Sequence, residues 1–134
     1  MFFEPDELLE ALADLAAAES LTVRLDGEAM RDALHEARAL AARHPVDRPV
    51  ATLYAFGRRA ARFGHAGQPF VRGLVHAEAL AVGCELDMTD VEFAIHFAGL
   101  ALGHVEFLEL RGWIAARLRP LGQKRTPPRR PRPR

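Results

Sequence analysis

Asparagine is absent from this chain, and serine, tyrosine, lysine, cysteine and tryptophan occur once each, as Ser20, Tyr54, Lys124, Cys84 and Trp113. The lone Cys84 excludes an intramolecular disulfide and any site that needs two thiolates. Ser20 falls at a helix end, where a hydroxyl serves local hydrogen bonding, and Cys84 follows Gly83 with no basic neighbour to activate it. Most of the usual nucleophiles are therefore missing, and no residue is assigned a catalytic role. No run reaches the roughly 18 to 20 apolar residues that span a bilayer, and residues 1–6 lack the basic stretch of a signal peptide. A cytoplasmic protein without a membrane partner is predicted. The six histidines show no His-x-x-x-His or His-Glu-x-x-His spacing, so no metal and no cofactor is predicted.

What is abundant is alanine and arginine, 24 and 17 in 134 residues. The formal charge is zero, but the last sixteen residues hold seven basic groups and no acid. Residues 1–118 carry 11 basic and 18 acidic residues, a net of −7. The tail from Arg119 onward is rich in proline and arginine, so it is predicted to be disordered in isolation. Such an arm suits nucleic acid, through counterion release, or an acidic surface, including that of its own body.

Hydrophobic periodicity predicts an all-α single domain of five or six helices. Leu8, Leu12 and Leu15, with Pro5 in a first turn, mark a helix over 5–19. Residues 21–25 alternate apolar and polar and suit a connector or the chain's one short strand. Asp26 caps a helix over 27–43, followed by a loop over 44–49 that holds two prolines. A third helix carries Leu53, Phe56, Ala60 and Phe63 and breaks at Gly64, before an interhelical turn over 65–69. Residues 70–82 are apolar nearly all round apart from Arg72, His76 and Glu78, which predicts the central, most buried helix and requires partners for those three. Thr89 and Glu92 form a capping-box pair that opens a helix to Leu102, and a last helix over 105–118 carries Trp113. The organisation is an N-terminal helix and connector over 1–26, a helical core over 27–118 and the tail over 119–134.

The strongest candidate site is the glycine-flanked turn before the buried helix. A helix start offers backbone N–H groups and a positive dipole end to an anion or nucleotide. Arg62 and His65 precede that start, Gly67 lies in the turn, and Arg72 and His76 sit four apart on the following helix. These five are the predicted ligand residues. The competing assignment makes Gly64 and Gly67 ordinary turn residues and pairs Arg72 with an acid.

The order of these segments resembles the Fic/Doc (death-on-curing) family over residues 27–118. That family has an apolar helix leading into a loop His-x-Phe-x-Asp/Glu-Gly-Asn-Gly/Lys-Arg, a buried helix ended by glycine, an extended piece, and two amphipathic helices with a glycine between them. Residues 53–62, 70–82, Gly83, 84–87, 89–102, Gly103 and 105–118 follow that order, and the part around Trp113 is the closest match. On the loop, residues 61–69 keep the phenylalanine as Phe63, while Ala61, His65, Gly67 and Pro69 stand where the family has its histidine, acid, asparagine and last arginine. The resemblance implies a toxin-type protein of a toxin–antitoxin pair, with an antitoxin or other protein as partner, whose phosphoryl- or nucleotidyl-transfer loop is degenerate. The alternative is a non-catalytic helical interaction module that takes a protein partner, or nucleic acid through its tail.

Overall fold

The structure, a computed structural model, describes residues 3–42 and 45–122. Six α-helices account for most of them: α1 (Pro5–Glu19), α2 (Gly27–Ala41), α3 (Arg48–Gly57), α4 (Gly67–Ala81), α5 (Asp90–Ala101) and α6 (Phe107–Ala115). A two-stranded antiparallel sheet joins β1 (Cys84–Leu86) to β2 (Leu118–Pro120), with Cys84 opposite Pro120 and Leu86 opposite Leu118. The all-α expectation holds.

The local signals are legible in the caps. Glu4 and Glu7 close a capping box on α1, and Pro5 occupies its first turn. The Asp26 carboxylate accepts the Ala29 N–H at 2.9 Å at the start of α2, and the Thr89 hydroxyl accepts the Glu92 N–H at 3.1 Å at the start of α5. Leu8, Leu12 and Ala16 of α1 join the same buried cluster as Met30, Leu34, Val50, Phe56, Val71 and Ile114.

Several expectations change. The central helix is α3, which packs against α2, α4, α5 and α6 and buries eight of its ten residues. Helix α4 is less enclosed: Leu80 is exposed, and Arg72 and His76 are half-buried. Helix α3 begins at Arg48, inside the expected loop, because Pro49 lacks only an N–H that a first-turn residue does not use and has its φ already set for helix. The third helix does not continue to Phe63; it ends at Gly57, and a 3-10 segment (Ala60–Ala66) follows. Residues 21–25 form no strand, and the strands lie at β1 and β2 instead, so the last helix stops at Ala115 and Arg119 and Pro120 of the expected tail are strand residues. Arg119 is held there by Asp87 at 2.9 Å. The expected helix end at Arg43, the loop residue His44 and residues 123–134 of the tail lie outside the described residues.

Candidate functional site

Residues 22–24 run extended beside the 3-10 segment, and two backbone bonds clamp them together. The Arg24 N–H donates to Phe63 O, and the Ala66 N–H donates to Thr22 O, each at 3.0 Å. Between these bonds Gly64 adopts φ 77° and ψ −161°, a conformation open almost only to glycine. A Cβ on Gly64 would stand 2.9 Å from Thr22 O. The close approach thus needs glycine at this position.

The clamp walls a surface cleft of about 550 Å3, lined by Thr22, Val23, Arg24, Ala61, Gly64 and His65. His65 Nδ1 lies 2.6 Å from Thr22 Oγ1, and the His65 N–H donates to the same oxygen at 3.4 Å. Thr22, Arg24 and His65 are all exposed.

The five candidate residues do not converge here. Only His65 lines the cleft. The Arg62 guanidinium pairs with Asp26 at 2.8 Å. Together with the Ala29 N–H, the larger influence, it holds the Asp26 carboxyl below its ordinary pKa. Gly67 is buried in the first turn of α4, where a Cβ would come within 2.3 Å of Ala60 O, so its role is close packing. The turn offers fewer donors than a helix start suggests, because the Gly67 N–H is spent on Gly64 O and the Ala66 and His65 N–H groups on Thr22. Arg72 is ion-paired with Asp90 of α5 and lies over the Phe93 ring at 5.8 Å. His76 is half-buried, and burial first, then the Arg72 charge, hold its pKa below the usual 6.5.

Sequence reasoning missed Thr22 and Arg24. A signal existed in the alternation over residues 21–25, which places two polar side chains on one side of an extended segment. Arg48 was also missed: its guanidinium meets the buried Glu78 carboxylate at 2.5 Å. Among the described residues, no group of three or more His, Cys, Asp or Glu side chains is placed to hold a metal ion.

A second feature lies on α5. Phe93 and Leu100 face the core, while Val91, Ile95 and Leu102 are 68%, 64% and 69% exposed. Ala94, Ala98 and Ala101 are exposed as well. Positions 91, 95, 98 and 102 repeat at helical spacing, so these side chains form one continuous outer face. Its flanking acids are already matched: Asp90 by Arg72, and Glu92 by Arg117 at 2.5 Å. On the α6 side, His96 stacks on Trp113 with ring centroids 3.7 Å apart, and Arg117 lies over the same indole at 4.4 Å.

Comparison with protein-family models, with curated proteins and with solved structures finds no match to this chain.

Proposed function

We propose that this chain is a non-catalytic helical interaction module that receives a protein partner on the outer face of α5. The observation that carries this reading is the exposure of Val91, Ile95 and Leu102 on a single helix face with only alanines between them. A helix that is apolar all round is ordinarily enclosed, and a continuous apolar patch with a polar rim marks a contact surface. The rim supports docking too, because a partner covering it strands no unpaired carboxylate: Asp90 and Glu92 keep Arg72 and Arg117. The spacing suits an amphipathic partner helix that sets its own anchors at matching intervals.

A photo-crosslinking side chain placed at Ile95, with another at Arg31 as control, tests this in cells that express the chain naturally. The expected result is one discrete adduct from position 95, none from position 31, and loss of that adduct with Leu102→Glu. An adduct of two copies of the chain would make the partner a second copy. Equal adducts from both positions would remove the docking reading.

The cleft beside His65 favours a second reading, the toxin-type Fic/Doc-like protein that the order of segments resembles. A retained opening of this size suits a phosphorylated ligand. Against transfer chemistry stand Ala61, which has no proton acceptor, and the engagement of Arg62 and Arg72 by acids. Titration with ATP and GTP, referenced to inorganic phosphate, tests the reading. Nucleotide binding no tighter than that of phosphate alone removes it.

A further inference from the structure

Eleven arginines fall among the described residues, and nine of them sit within salt-bridge distance of a carboxylate: Arg38, Arg48, Arg58, Arg59, Arg62, Arg72, Arg111, Arg117 and Arg119. Arg24 and Arg31 do not, although residues 1–118 hold 18 acids against 11 bases. Arg24 is the one of these two that lines a cleft.

The nearest acid in sequence shows how the guanidinium stays unmatched. Asp26 lies two residues away, but its Oδ1 accepts the Ala29 N–H at 2.9 Å and its Oδ2 holds Arg62 at 2.8 and 2.9 Å. Arg62 thereby neutralises the carboxylate that would otherwise attract Arg24. The backbone of Arg24 is fixed by its bond to Phe63 O, so the side chain projects from a clamped segment rather than a free loop.

We infer that the cleft is a binding site for a phosphate monoester, held by Arg24 and His65, with Thr22 orienting the imidazole. No carboxylate lines it, and its three polar side chains supply a guanidinium, an imidazole and a hydroxyl. Guanidinium offers a planar pair of N–H donors that matches two phosphate oxygens. When Thr22 donates its hydroxyl hydrogen to His65 Nδ1, the neutral imidazole carries its proton on Nε2, and that N–H is a second donor. Val23 and Ala61 add an apolar wall for the carbon next to the ester oxygen. This site is independent of the α5 face, so either proposal can fail alone.

The test is titration of the full-length chain with inorganic phosphate and with phosphoserine at fixed pH and ionic strength, followed by NMR at the Thr22 and Ala61 amides and the His65 ring. Saturable shifts in the millimolar range are expected. Arg24→Gln should weaken binding about tenfold, the factor that corresponds to roughly 1.4 kcal/mol, while Arg24→Lys recovers part of it and Arg31→Gln changes it less than about twofold. The basic tail attracts phosphate in every variant, so the comparison between variants is the readout. Tighter binding of phosphoserine assigns the site to a phosphorylated side chain, and equal binding assigns it to the phosphoryl group alone; both support the inference. Linear, non-saturating shifts, or equal weakening by Arg24→Gln and Arg31→Gln, would overturn it.

Discussion

The carboxylate of Glu78, on α4, meets the guanidinium of Arg48, at the start of α3, at 2.5 Å while Glu78 is only 3% exposed. This pair ties α4 to the start of α3, the central helix against which it packs. The Arg48 carbonyl also accepts the Thr52 hydroxyl at 2.8 Å, so the first turn of α3 is fixed on both sides. Removing one partner of a buried pair leaves an uncompensated charge in a poorly solvated place. Arg48→Ala and Glu78→Ala should therefore each cost about 3–5 kcal/mol in urea unfolding, whereas Arg48→Met with Glu78→Leu together should cost far less than the sum.

Arg72 stands in contrast. Its partner Asp90 is 81% exposed and Arg72 itself 33%, so the pair is screened by water. Burial among apolar neighbours would have made Arg72→Ala cost roughly 3–5 kcal/mol, but the observed exposure lowers the expected cost to about 1 kcal/mol, including the contact with Phe93. Thermal unfolding of Arg72→Ala beside Glu78→Ala checks the order.

His76 and His96 set a pH dependence. Burial, then the neighbouring Arg72, lowers the His76 pKa, and burial, then Arg117, lowers that of His96 against the opposing pull of Glu92. The folded state thus binds these protons less readily than the unfolded chain does. Stability from this source is complete above pH 6.5, the ordinary value, and is lost as pH falls through the depressed folded values. Urea midpoints measured across that range should fall on acidification, and His76→Gln with His96→Gln should flatten the fall.

Gly64→Ala should destabilise by about 1–3 kcal/mol through its backbone conformation and its contact with Thr22 O. It should also disturb the cleft, since Gly64 anchors both walls. Gly67→Ala meets Ala60 O instead and should destabilise without that local effect. Amide exchange at Arg24 and Ala66, which report the two clamp bonds, separates them: faster in Gly64→Ala, changed only with global stability in Gly67→Ala.

If the basic tail binds nucleic acid, retention on RNA or DNA should fall steeply with salt and vanish on deleting residues 121–134. Equal retention of the full-length and shortened chains would exclude that function for the tail.

The helices were largely legible in the amino-acid order because their determinants are local. Pro5, Asp26 and Thr89 set starts through bonds and dihedral preferences spanning a few residues, and Leu8, Leu12, Met30 and Leu34 repeat at helical spacing whatever they pack against. Periodicity does not mark β1, where only the family resemblance implies an extended piece, and the pairing with residues 118–120 depends on a partner more than thirty positions away. The same limit hid the centre of the core. Residues 70–82 and α3 are both apolar, and only packing decided that α3 has neighbours all round while α4 keeps one side toward solvent. Ile95 counts as apolar in any periodicity, yet the fold turns it outward with Val91 and Leu102.

Charge partners followed the same division. That Glu78 needs a partner once its apolar helix is buried follows from desolvation. That Glu78 finds Arg48, that Arg72 finds Asp90 at the surface, and that Arg62 occupies Asp26 while Arg24 is left to the cleft were decided by tertiary structure. Ion pairing depends on separations of a few ångströms between groups distant in the chain, and no local pattern encodes those distances.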